Sequence, residues 1–129
     1  MDADERRSAL NRITETVIGC AFRVADALGA GFNEKVYENS LAHEVRKAGL
    51  KVAQQHSVTV TYDGVQVGHY VCDLLVDAAV LIELKAVSQL TNEHVAQCMN
   101  YLKATGLKVC LLINFGKPKI EVRRIVNDF

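Results

Sequence analysis

The sequence predicts an α/β fold in which helices flank a mixed central sheet, with elements in the order α-α-β-β-β-α-β-β. Three observations lead there. Apolar residues recur at helical spacing as far as Gly49 and at strand spacing from Val52 onward. The dipeptide Asp63-Gly64 joins two strand-like segments, as a tight hairpin turn does. The run Val109-Cys110-Leu111-Leu112-Ile113 is apolar without alternation, the mark of a central strand covered on both faces, so helices should lie against the sheet.

Leu10, Ile13, Val17, Cys20, Val24 and Leu28 fall at three- and four-residue steps and predict a first helix from about Glu5 to Leu28. Gly29-Ala30-Gly31 ends it. Asn33 can cap a second helix with Val36, Tyr37, Leu41, Val45 and Ala48 along one side, stopped by Gly49, and the two helices form a hairpin. In the first strand, from Val52, Val58, Val60 and Tyr62 alternate with Ser57, Thr59 and Thr61. Val65 to Val76 and Val80 to Ala86 follow as strands, giving three antiparallel strands in succession. The polar connection Ser88 to Asn92 opens a third helix, from about Glu93 to Ala104 and closed by Gly106; Lys108 to Asn114 and Ile120 to Val126 read as the last two strands. With no internal repeat and no Gly, Ser or Pro-rich linker, residues 1–129 are expected to form one domain.

Hydrophobic residues make up 50% of the chain and charged residues 23%, with a single proline, which is the composition of a packed protein. Fifteen basic residues balance fifteen acidic ones, so no strongly basic surface argues for nucleic-acid binding. The pairs Arg6-Arg7, Lys117/Lys119 and Arg123-Arg124 are expected to be solvated surface. Cys20, Cys72, Cys98 and Cys110 lack CxxC spacing and sit in apolar stretches, as buried thiols do, so neither zinc nor disulfides are expected. The chain starts with no long apolar run, and Val109 to Phe115 is too short to span a bilayer; a cytoplasmic protein without a membrane partner is the expectation. A domain this small, with apolar strands near its C-terminus, could form a homodimer through an exposed sheet edge.

Chemistry points to the segment from Val71 to Lys85, where Asp73, Glu83 and Lys85 interrupt apolar strands. Glu83 and Lys85 share a strand face, while Leu84 points to the other. A hairpin turning about Ala78 sets Asp73 opposite Glu83. Opposed carboxylates destabilise a sheet unless a divalent cation lies between them, and hard oxygen ligands suit Mg²⁺ or Mn²⁺. Lys85 could then hold the attacking water or offset charge on a phosphoryl oxygen. Glu-x-Lys by itself is equally the pattern of a charged edge strand, but the apolar flanks and the opposed Asp73 argue against an edge. Glu34 and Glu38 lie one helical turn apart, and either could bring a third carboxylate. Gln97 and Tyr101 form a second such pair, able to hydrogen-bond a phosphate or the catalytic groups. His94 reads as a satisfied histidine in preference to a base.

Together these residues resemble the bacterial family named for the motif GxxExxY, present here as Gly31-Phe32-Asn33-Glu34-Lys35-Val36-Tyr37. Tyr62-Asp63-Gly64, Asp73-Leu74-Leu75-Val76, Ile82-Glu83-Leu84-Lys85-Ala86, Gln97 through Leu102 and Leu111-Leu112-Ile113-Asn114-Phe115-Gly116 are similar to that family's pattern across nearly the whole chain. The family is placed in the PD-(D/E)xK nuclease superfamily, which implies a restriction-endonuclease-like core and metal-dependent phosphodiester hydrolysis on nucleic acid, with DNA the expected polymer. Carried over by this resemblance, Asp73 is the first metal-ligand aspartate, Glu83 and Lys85 the (D/E)xK pair, and Glu34 the helix-borne acid, with Glu38 its substitute. The backbone carbonyl of Leu84 would join the metal. Gln97-x-x-x-Tyr101 is similar to the QxxxY motif of RecB-like and phage-type exonucleases, and Tyr37 and Glu38 would support the site or meet the strand. No proline precedes Asp73, a departure the superfamily often shows. The alternatives are a non-catalytic nucleic-acid- or protein-binding module on the same fold, acting with a partner protein, or a structural subunit with a buried ion cluster.

Overall fold

A computed structural model describes residues 1–129, with three helices around one five-stranded sheet. Helix α1 (Ala3–Leu28) starts a little before the periodicity begins because the Asp2 carboxylate accepts the Glu5 N–H at 2.8 Å. In the same way Asn33 caps α2 (Glu34–Lys47) through the Val36 N–H. The link between the helices is pinned from inside. Tyr37, fully buried, donates its hydroxyl to the Gly29 carbonyl at 2.6 Å, accepts the Phe32 N–H at 3.2 Å, and stacks on Phe115 with ring centroids 4.6 Å apart.

Strands β1 (Val52–Tyr62) and β2 (Val65–Val76) are joined at Asp63 and Gly64, both at positive φ (54° and 75°), the two-residue turn whose twist matches a hairpin. A second turn with Asp77 and Ala78 at positive φ leads into β3 (Val80–Lys85), which is antiparallel to β2 in the register that opposes Leu74 to Ile82 and Val76 to Val80. Helix α3 (Asn92–Thr105) then carries the chain across, so that β4 (Val109–Asn114) lies parallel to β3 and β5 (Glu121–Val126) antiparallel to β4. The spatial order is β1-β2-β3-β4-β5.

Strand alternation sorts side chains into two cores. Leu74, Val76, Ile82, Leu84, Leu111 and Ile113 pack under α1 and α2, whereas Leu81, Cys110 and Leu112 face Cys98 and Leu102 of α3. All six residues of β4 are buried, as its unbroken apolar run predicts. Each fully buried Leu or Ile contributes on the order of 2 kcal/mol. The four cysteines are buried, unpaired thiols. At the C-terminal edge, β5 leaves Val126 exposed. Strand β5 turns Ile125 inward and Arg123 and Arg124 outward, and Arg124 lies over the Phe129 ring at 4.3 Å. The ladder between β2 and β3 involves only Leu74 to Val76, so β1 and β2 run on beyond it as a ribbon that exposes Tyr62, Val65, Val67, Tyr70 and Val71. No helix is long and apolar enough to cross a membrane.

Candidate active site

Asp73 stands where both neighbouring ladders open. The pairing of β2 with β3 stops at Leu74, and the pairing of β1 with β2 skips the position opposite Asp73, resuming at His56 and Cys72. Side-chain bonds take over there. Asp73 Oδ2 accepts the Leu84 N–H at 2.8 Å, and the Asp73 N–H donates to Glu83 Oε1 at 3.3 Å. The two carboxylates are thereby held at a fork between two strands. The ammonium of Lys85, mostly shielded from solvent, lies 3.7 Å from Glu83 Oε2. Glu83, and Lys85 two residues on, lie on the face covered by α3, where Tyr101 reaches Glu83. Asp73 reaches across the gap between the strands to the Leu84 N–H, and the Leu84 side chain packs into the opposite core.

Glu83 is only 5% exposed. Burial foremost, then the charge of Asp73, pushes its pKa up to about 7, with Lys85 working in the other direction. From α3, the Tyr101 hydroxyl lies 3.3 Å from the Val71 carbonyl and 3.4 Å from Glu83 Oε2, one proton between two acceptors. Burial and the nearby Glu83 raise its pKa, so it stays a neutral donor.

Of the two helix-borne acids, the structure ties Glu38 to the cluster. Glu38 is 3% exposed and accepts the Gln55 amide at 2.6 Å, the Gln54 amide at 2.7 Å and the Lys35 ammonium at 3.1 Å. The Gln55 amide also reaches Asp73 Oδ1 at 3.3 Å, so a single side chain joins α2 to β2. Glu34, in the first turn of α2, is exposed and makes no hydrogen bond or ion pair with Asp73, Glu83 or Lys85. Its position instead complements the helix dipole. Tyr37, being fully buried, holds the α1–α2 link and does not reach a surface where a strand could lie. Gln97 is half-buried and borders a cavity next to Tyr101, without a hydrogen bond to the acids. His94 closes a capping box: its Nδ1 accepts the Thr91 N–H at 3.1 Å.

Gln54 and Gln55 escape a reading by pattern alone. The signal for them is faint: Gln54-Gln55-His56 breaks the alternation at the start of β1, as a local irregularity in a strand does.

The donor set bears on whether a metal fits. Asp73 and Glu83 are the side-chain oxygens at the fork, and no three His, Cys, Asp or Glu side chains converge to hold an ion. Their chemistry nonetheless suits a hard divalent cation. Two carboxylates in contact, one buried and with its proton affinity raised by the other, form a site short of positive charge, and Lys85 offsets only part of it. Further oxygen donors would come from the backbone, water or substrate, as is usual for Mg²⁺.

Residues 11–125 match a family model described as the PD-(D/E)XK nuclease superfamily. Among solved structures, the chain is similar to an alkaline exonuclease from Laribacter hongkongensis, with a TM-score of 0.50 and 18% sequence identity, over 84% of this chain and 76% of that one. At that identity the likeness concerns the fold. No curated protein matches the chain.

Proposed function

Because the chain belongs to the PD-(D/E)XK nuclease superfamily and has its restriction-endonuclease-like fold, we propose that residues 1–129 are one metal-dependent nuclease domain whose active site is Asp73, Glu83 and Lys85. The observation that carries this reading is the fork itself: a buried glutamate and an aspartate in hydrogen-bond contact, with a lysine ammonium beside them, on strands that are otherwise apolar. Asp73 and Glu83 would hold the cation, with the Leu84 carbonyl between them, and Mg²⁺ or Mn²⁺ is the ion proposed. A bound divalent cation of this kind polarises a phosphoryl oxygen and makes water a better nucleophile near neutral pH.

The protein's own groups do the remaining work. Lys85 puts a positive charge beside the position where negative charge grows on the phosphoryl oxygens, or orients the attacking water. Tyr101 holds Glu83 Oε2, and Gln97, one helical turn earlier, faces the open side of α3 where a strand would pass. Glu38 acts on Asp73 through Gln55, a role that fits it better than Glu34. The motif around Gly31 to Tyr37 supports placing the chain in the GxxExxY group, and the resemblance of Gln97-x-x-x-Tyr101 to exonuclease QxxxY motifs supports DNA as the substrate. Four unpaired thiols suit a reducing cytoplasm.

The test is cleavage of labelled DNA, single- and double-stranded, with Mg²⁺ or Mn²⁺. Asp73→Ala and Lys85→Ala are each expected to lower the rate by roughly a hundredfold or more. Equal rates in wild type and both variants would remove the catalytic assignment and leave a nucleic-acid- or protein-binding module.

A further inference from the structure

Tyr70 lies on β2 three residues before Asp73, paired with the buried Val58, so its side chain is on the sheet face turned toward α3. The ring is 50% exposed, and its hydroxyl makes no hydrogen bond within the chain. On one side it meets Tyr101 at a centroid distance of 6.3 Å and a tilt of 55°, which leaves its other side open. Tyr70 separates two cavities. One, of about 430 Å³, it shares with Glu93, His94, Gln97, Asn100 and Tyr101. The other, of about 410 Å³, continues past Thr61, Asn100 and Lys103. Tyr101 belongs to the first cavity and reaches Glu83 Oε2 at 3.4 Å, so the cavity adjoins the carboxylate fork through one side chain.

Resting on the nuclease reading above, we propose that Tyr70 is a stacking platform for an unpaired nucleobase, and that the substrate strand leaves the active site over Tyr70 toward Lys103. Water-exposed aromatic area beside amide side chains suits a base, which offers an apolar face and a hydrogen-bonding edge. Gln97 and Asn100, three residues apart on α3, border the space beside the ring and can meet that edge. Charge gives the direction: Glu93 at one end of the first cavity repels phosphate, and Lys103 in the second attracts it. A base inside a duplex is already stacked on both faces and paired along its edge, so the platform selects a single strand or a frayed end.

The experiment is fluorescence anisotropy of the wild-type chain in EDTA with three labelled probes of equal length: an oligothymidylate, the same backbone made abasic, and a duplex. The expected order has the oligothymidylate tightest. Tyr70→Ala should weaken oligothymidylate binding by about tenfold, the effect of losing one stacked base, and leave the abasic strand unchanged. Tyr70→Phe, which keeps the ring, should bind as wild type does. Equal losses on the oligothymidylate and abasic probes, or a loss in Tyr70→Phe as large as in Tyr70→Ala, would overturn the proposal, as would no loss in Tyr70→Ala when thermal melting shows it folded. Cleavage is read separately, so a chain that discriminates bases and yet cuts nothing upholds the stacking site while the nuclease reading fails.

Discussion

Gln55 occupies the left-handed region, φ 54°, within β1, where an L-residue is held at a cost of about 1 kcal/mol or more. That conformation opens the ladder opposite Asp73 and lets one amide touch both Glu38 and Asp73. Strain serving a site has a signature that can be measured. In an ordinary strand Gly is worse than Ala, but here Gly relieves the backbone while both replacements lose the same two hydrogen bonds. Gln55→Gly is therefore expected to be more stable than Gln55→Ala by about 1 kcal/mol in urea unfolding. Both variants should bind Mn²⁺ more weakly than wild type in calorimetric titration. If the Ala variant is the more stable of the two, or Mn²⁺ affinity stays at the wild-type value in both, Gln55 does not position Asp73. The same residue marks the limit of the sequence reading. Glu34 and Glu38 are equivalent in spacing, and what separates them is a helix–strand contact made by a glutamine in a left-handed conformation, which no single-element periodicity encodes.

Elements were legible wherever one physical rule dominated. The Asp63-Gly64 turn, the register of β2 against β3 and the fully buried β4 follow from turn chemistry, the position of the turn about Ala78 and the absence of alternation, respectively. The connection after β3 is different, because it is held by a distant residue. Asn114, fully buried at the end of β4, accepts the Val87 N–H at 3.0 Å and the Gly116 N–H at 2.9 Å, and donates to the Val87 carbonyl at 2.9 Å. Gly116 allows the backbones to approach so closely that a Cβ there would overlap the amide nitrogen and carbonyl oxygen of Val87. This clamp fixes the chain just beyond Lys85. Asn114→Ala leaves buried backbone groups without partners and is expected to cost about 3 kcal/mol by denaturant unfolding. Gly116→Ala should destabilise as well, by displacing the same segment. A loss below about 0.5 kcal/mol in both, the size of an ordinary surface substitution, would show that the connection is held by other contacts.

Across the whole molecule, sequence patterning anticipated helices on both faces of a mixed sheet because the two cores alternate along the strands, but it gave no sign of the exposed apolar side chains on the long β1–β2 ribbon. The sheet also carries an unbalanced charge at its centre, and that links stability to pH. The Glu83 carboxyl has its pKa pushed up from 4.5 to about 7, by burial first and by Asp73 second. A group that holds its proton more tightly when folded stabilises the native state fully below the unfolded value, and this contribution is lost as pH rises through the folded one. For the metal-free chain the loss therefore falls between about 4.5 and about 7, and its upper size is on the order of 3 kcal/mol. Thermal melting in EDTA should show the midpoint of wild type falling relative to that of Glu83→Gln, which has no proton to lose, as pH rises across that window. Above it, Mn²⁺ should raise the wild-type midpoint in proportion to the logarithm of its concentration, because it binds the ionised pair in the folded chain alone, and should raise that of Glu83→Gln much less. If the two proteins keep the same pH slope and respond alike to Mn²⁺, the carboxylate fork is neither the source of the charge imbalance nor the place where the cation binds.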